Sequence, residues 1–381
     1  MMTCPACQKS VPTAAFCGDC GAEMAAPVTD MNLLLRPRVY TTAHREPLLA
    51  PRVSSSYLPR LPGPMRRPFR AGLIIVLIAM VVLALLSANG PLGVTATLGW
   101  PLIFLIYVWQ TDVFRDLPAR ILVIAMVLGI AGGVGWWLMA GKLLAGRYGV
   151  TTGSGLLLAQ VLDVGFLITL GGALLMLAPA VVTRAIPVDK REAVDGFVVG
   201  TFGALWYQTA ATTTVVAPQF AEGLINEQST SRMLQDAFTY GVVDPIVTTA
   251  AGGLLGLLLW FTPRPGALGR KARTALIICA VLGTLLYLSV WGIESFGLPP
   301  WVDAAMKLVL AVLALLVVRC GLQIALLHEQ PDPATGDPIL CVHCERVVPD
   351  TPFCPACGSA ARASSRSSRR LRHDQPPTAL V

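Results

Sequence analysis

The chain has 381 residues, 54% of them hydrophobic and 13% charged, about half the charged share of an ordinary soluble domain. So little polar surface excludes a soluble globular protein, and the apolar residues gather in blocks long enough to cross a bilayer as helix. The net charge of +7 raises nucleic acid as a partner, but the Lys and Arg residues sit beside the apolar blocks, where membrane topology needs them, so nucleic-acid binding is not expected.

Residues 1–22 open the chain with Cys4-Pro-Ala-Cys7 and Cys17-Gly-Asp-Cys20-Gly21. Such a start is not a secretory signal peptide, so the first apolar block is expected to act as its own insertion signal. Residues 23–70 are rich in Pro, Arg and Ser and lack apolar periodicity, which predicts a disordered basic linker. Eight apolar blocks follow, near 71–88, 92–110, 120–140, 156–178, 194–218, 238–262, 274–293 and 302–327. Each is continuous rather than alternating, which predicts helices and not a barrel. The expected fold is therefore an all-α polytopic bundle of about eight spans over residues 71–328, with a small zinc ribbon at each terminus.

Loop charge orients the bundle. With the N-terminus in the cytosol, the inner loops carry Arg115, Arg120, Arg184, Lys190, Arg191, Arg264, Arg270, Lys271 and Arg273. The outer loops carry only Lys142, Arg147 and Arg232. That asymmetry predicts a multi-pass protein of the plasma (inner) membrane with both termini cytosolic.

After a linker at 329–338, residues 339–360 repeat the first cysteine cluster as Cys341-Val-His-Cys344 and Cys354-Pro-Ala-Cys357-Gly358. Both clusters read C-x2-C-x9-C-x2-C, with Phe16 or Phe353 before the third cysteine. Each C-x2-C turn points two sulfurs at one ion, and two turns close a tetrahedron of thiolates that suits Zn2+. Gly21 and Gly358 fit turns that need positive φ. About 20 residues cannot bury enough core to fold alone, so the metal is expected to supply the folding energy. Disulfides are the alternative for such cysteines, and a reducing cytosol argues against them. Two structural ions are expected, each closed by four protein ligands. The Arg/Ser tail at 361–381 is expected to be disordered.

Within the spans, charged residues are costly and become functional candidates. Asp163 and Asp244 each lie roughly 10 Å inside the outer end of a span, counting the helical rise per residue. Asp303 and Lys307 are spaced to pair on one helix face. Gln208 and Thr212 to Thr214 reach the same outer half. Gly196 with Gly200, and Gly252 with Gly256, have the small-xxx-small spacing of close helix contacts.

The stretches LAQVLDVGFLI (158–168), AVDGFVVGTFGALWYQTAATT (193–213) and YGVVDPIVTTAAGGLLG (240–256) together resemble the core of the PrsW-type intramembrane proteases. That family carries EExxK at a span start, then a DG-x-x-x-G stretch ending in Glu-Asn, then a His before a small-residue helix. Asp195, Gly196 and Gly200 match, and Tyr207 stands where the family has Phe. The first Glu of EExxK falls on Asp163, the second on Val164 and the Lys on Leu167. The later Glu and Asn fall on Ala211 and Thr212, and the His on Asp244. The resemblance therefore implies the fold without its metal-activating chemistry, which needs His and carboxylate ligands.

The expected function is a non-catalytic membrane scaffold or regulator, embedded in the lipid bilayer, whose cytosolic ribbons bind a protein partner. The competing readings are an atypical PrsW-like intramembrane protease, with Asp163 and Asp244 as its candidate acids, and a small transporter using the outer polar layer.

Overall fold

A computed structural model of the chain describes residues 1–25, 34–36, 38–43, 46–147, 167–188, 190–221, 230–294, 298–331, 338–367 and 369. Among them, seven helical stretches are long and apolar enough to cross a membrane. They belong to α2 (Arg66–Leu85), α3 (Asn89–Gln110), α5 (Ala119–Arg147), α6 (Leu167–Ala185), α8 (Thr230–Phe238) continuing into α9 (Asp244–Trp260), α10 (Ala267–Glu294) and α11 (Pro300–His328). Short helices α1 (Val53–Tyr57) and α4 (Val113–Asp116) lie between or before them. Large apolar side chains such as Ile75, Ile78, Leu85, Ile278, Val281 and Val309 point outward, a continuous apolar exterior that only lipid can cover. The chain is thus a multi-pass membrane protein.

The expected block at 194–218 forms α7 (Ala193–Ala221), which is long but is not among the seven helices apolar enough to cross a membrane. Its position explains the difference. Every residue from Ala193 to Leu205 is buried, so α7 is wrapped by the other helices and has little need of lipid-facing side chains. Thr201, Gln208, Thr209 and Thr212 can therefore sit in its buried faces. Of the expected span at 156–178, residues 156–166 lie outside the described residues; the rest belongs to α6, which runs past Pro179 to Ala185. A proline inside a membrane helix leaves the carbonyl four residues earlier without its helical donor, which neighbours can re-satisfy; Thr183 Oγ1 donates to the carbonyl of Pro179 itself at 2.7 Å.

The glycine spacing does what it predicted. Gly196 and Gly200 of α7 face Gly256 and Gly252 of α9 at backbone distance. A Cβ on Gly256 would stand 2.0 Å from the Gly196 carbonyl oxygen, and one on Gly200 would stand 2.1 Å from that of Gly252. Neither backbone can yield without parting the helices. Gly256→Leu is expected to destabilise the membrane domain by several kcal/mol, at or beyond the upper end of overpacking costs of about 1–3 kcal/mol. Gly72→Leu in α2, where nothing lies within 4 Å of the added Cβ, is expected to be near neutral. Thermal unfolding of both variants in detergent checks this; similar melting temperatures for the two would refute the close contact.

Residues 23–70 depart from the sequence expectation. Where described, they form a packed belt against α11 rather than a disordered linker. The reason is Arg319, fully buried in α11, whose guanidinium needs acceptors. It donates to Leu48 O at 2.7 Å, Pro47 O at 2.9 Å and Ser55 Oγ at 2.8 Å, and lies 3.8 Å from the centre of the Tyr40 ring. Glu46 adds a carboxylate 3.6 Å from Arg319 and 3.0 Å from Arg52. Tyr57 OH donates to Ile246 O at 2.6 Å. The belt is held by polar groups meeting a buried cation, which leaves no apolar period to read.

Candidate metal centres and the charge cluster beneath them

Each cysteine cluster is built on a two-residue hairpin. Met2–Thr3 pairs antiparallel with Ser10–Val11, and Ile339–Leu340 with Val347–Val348. In each knuckle a backbone N–H closes back on the first cysteine: Gln8 N on Cys4 O, Gly21 N on Cys17 O, Glu345 N on Cys341 O and Gly358 N on Cys354 O, at 2.7–2.9 Å. Those closures demand left-handed backbone. Gly21 and Gly358 have φ of +70° and +74° as expected. Gln8 and Glu345 adopt it too, at 58° and 57°, without the glycine that would have announced it.

All ten cysteines are free, and the four sulfurs of each cluster lie within 4.8 Å of one another. The separations are 3.7 Å for Cys4–Cys20 and 3.8 Å for Cys7–Cys17, Cys341–Cys357 and Cys344–Cys354. A disulfide needs about 2.05 Å, whereas the edge of a tetrahedron with Zn–S bonds of about 2.3 Å is about 3.8 Å. Each cluster could hold one metal ion and is compatible with zinc. The donor set is complete without water, which fits a structural site rather than a catalytic one.

The two ribbons pack against each other reciprocally. Phe16 N donates to Pro355 O at 3.0 Å and Phe353 N to Gly18 O at 2.9 Å. The Phe353 ring lies on Gly21 and the Phe16 ring on Gly358, so close that a Cβ on either glycine would stand 2.6 or 2.8 Å from the ring. Equivalent residues exchange equivalent contacts, which makes the pair an approximate two-fold unit. The glycine after the fourth cysteine therefore answers two demands: a positive φ, and room for the partner's phenylalanine.

This pair sits on the membrane domain. Phe353, Ala360 and Ala363 form one apolar cluster with Val194 at the start of α7 and Leu326 and Leu327 at the end of α11. Ala360 N donates to Thr41 O in the belt at 2.8 Å.

Beneath the pair lies a cluster of buried charges that span-counting passes over. Arg60, fully buried, has Asp195 at 2.5 Å, Glu192 at 3.5 Å and Asp116 at 3.8 Å. Burial works against the Arg60 charge, but Asp195 and Glu192 outweigh it and hold its pKa above the ordinary value. The tail, expected to be disordered, joins this cluster where it is described. Arg366 lies 3.2 Å from Asp195 and 3.8 Å from Glu192, Arg369 pairs with Glu192, and Arg362 pairs with Glu329 at 3.0 Å. A run of arginines reads as solvated in sequence, and the described part of this one faces buried acids. Asp195 was singled out by the family resemblance; its role here is ionic.

Glu329 follows directly on α11 and accepts a hydrogen bond from Ala193 N at 2.8 Å. Burial pushes its carboxyl up to about 7, against the opposing pull of Arg362. An acid raised above its ordinary 4.5 favours the folded state below that value, and the advantage is lost as pH rises through 7. That difference is worth roughly 3 kcal/mol. Glu329→Gln, which keeps an acceptor for Ala193, is expected to melt above the wild type at pH 8 by a margin that shrinks towards pH 5. Melting curves at the two pH values test this, and an unchanged margin would refute it.

Asp244 is buried directly after the π-helical turn Thr239–Val243. Gln208 Nε2 donates to Asp244 Oδ2 at 3.0 Å and to Thr212 Oγ1 at 3.1 Å. Asp163 lies outside the described residues. Asp303 and Lys307 pair at 3.1 Å as their spacing predicted, and Gln235 Nε2 adds a hydrogen bond to Asp303 at 3.0 Å.

No protein-family model, curated protein or solved structure matches the chain. Nothing in these comparisons supports the PrsW-type resemblance, and Asp244, aligned with that family's histidine, is held by the Gln208 amide.

Proposed function

We propose that this chain is a non-catalytic scaffold or regulator of the inner membrane, whose two zinc-loaded ribbons act as one paired, cytosolic docking unit for a protein partner. The observation that carries this reading is the reciprocal ribbon pair seated on the end of the bundle where the charged cluster lies. A closed four-thiolate site supplies no open position for substrate; what it supplies is a small rigid surface. Pairing doubles that surface and fixes it relative to the membrane. The excess of Lys and Arg in the loops at this end supports a cytosolic orientation, and free cysteines accord with a reducing compartment.

The test is photo-crosslinking in cells, from probes on the exposed face of the ribbon pair. Labelled at Lys9 or Val347, both exposed, the wild type is expected to capture a discrete partner, and a Cys17→Ser, Cys354→Ser variant is expected to lose it at equal membrane abundance. Capture that persists without the metal ligands would refute the docking role, as would the absence of any discrete product from the wild type.

A further inference from the structure

The tail contacts carry a second site. Four carboxylates, Asp116, Glu192, Asp195 and Glu329, line the end of the bundle beneath the ribbons, all but removed from solvent. Among the described residues, the membrane domain and belt bring one guanidinium into ionic contact with them, that of Arg60. The three remaining charges are matched by Arg362, Arg366 and Arg369, all from the segment that leaves the second ribbon. Buried carboxylates without cations cost several kcal/mol each, so the socket is incomplete without an arginine-bearing segment.

The contacts are also those of peptide recognition rather than of charge neutralisation alone. Arg366 N and Ser367 N donate to the two oxygens of Asp116, at 2.6 and 2.8 Å. Arg366 Nη2 spans Asp116 O at 3.1 Å and Asp195 Oδ2 at 3.2 Å. Arg369 folds back through Nη1 onto Ser364 O at 2.7 Å, so the segment arrives preshaped. The three arginines are spaced four and three residues apart, and all three reach the carboxylates across a break, since the 3-10 turn Ala361–Ala363 ends in extended backbone at Ser364.

We propose that Asp116, Glu192, Asp195 and Glu329 form a guanidinium-binding socket for an arginine-rich peptide segment, and that residues 361–369 are its built-in, exchangeable ligand. The segment is joined to the second ribbon, so its occupancy of the socket decides whether the ribbon pair is clamped to the membrane domain or free to move on its tether. A partner bearing arginines at the same spacing would release the pair by taking the socket. This inference does not depend on the identity of the metal or of the docking partner.

The experiment is hydrogen exchange, read by mass spectrometry, on the full chain in nanodiscs. The 361–369 segment is expected to exchange at least tenfold more slowly than the same sequence as a free peptide. A synthetic peptide of residues 361–369, added at millimolar concentration, is expected to accelerate exchange of the chain's own segment. The same peptide with glutamine for its three arginines is expected to do nothing. Arg366→Gln with Arg369→Gln in the chain is expected to release the segment while protection of α7 and α9 persists, which separates release from unfolding. Exchange as fast as the free peptide in the wild type would overturn the proposal. Protection that survives the arginine substitutions would also overturn it, as would indifference to the competing peptide, which would make the contact a fixed joint.

Discussion

Cys354→Ser is expected to reduce the bound metal of the purified protein from two ions per chain to at most one, and to open both ends of the chain to protease. The first effect follows from a site with no spare ligand. Apparent binding energies of about 10–16 kcal/mol hold such modules folded, and a serine oxygen in place of one thiolate forfeits much of that. The second follows from the pairing. Phe353 lies on Gly21 and Phe16 on Gly358, so collapse of the second ribbon strips the cover from the first. Elemental analysis of the detergent-solubilised wild type and variant, with limited proteolysis of each, checks both. Zinc at two ions per wild-type chain is the expected starting value. An unchanged metal content in the variant would refute the ribbon sites, and loss of one ion without exposure of the N-terminal end would refute the pairing. A third ion that survives mutation of both ribbons would mean a metal site inside the membrane and would revive the protease reading.

Arg60→Ala is expected to cost about 3–5 kcal/mol, the penalty for removing one partner of a buried ion pair and leaving the others uncompensated. Asp195, Glu192 and Asp116 all lie within 3.8 Å of this one guanidinium, and none can reach water without opening the end of the bundle. Arg60→Lys keeps the charge but loses the planar fork that spans several carboxylates, so it is expected to fall between the two. Thermal unfolding in nanodiscs at neutral pH measures the series. A melting temperature for Arg60→Ala close to the wild type would show that the arginines of the tail balance the acids alone. The other charged clusters set a scale for comparison. Lys9 and Asp19 pair at 2.8 Å on an exposed surface, where an ion pair contributes about 0–1 kcal/mol.

The same residue types thus mean different things at different depths. Arg319, Arg60 and Arg366 are drawn from a composition that reads as topology signal and solvated tail. In the folded chain each meets acceptors that no local window contains: Arg319 meets the belt 264 to 272 positions away, and Arg366 meets Asp116 250 positions away. Positive-inside counting weighs Lys and Arg and passes over the acids beside them, which is why Glu192 and Glu329 drew no notice. Their only local signal was a carboxylate at the very end of an apolar block.

What the sequence determined by itself was whatever depends on neighbours close along the chain or on bulk transfer to lipid. The helical blocks were legible because about 20 apolar residues in a row have one stable solution in a bilayer. The thiolate clusters were legible because a C-x2-C turn places its own sulfurs, and Gly21 and Gly358 because a turn demands their φ. The α7–α9 contact was legible as a spacing, though not which glycines would meet. Only the tertiary structure decided that α7 is central, that the belt and tail are packed, and that the ribbons embrace each other over a socket of buried acids. Those features rest on pairings between charges and surfaces hundreds of residues apart, and no property of either partner alone specifies the other.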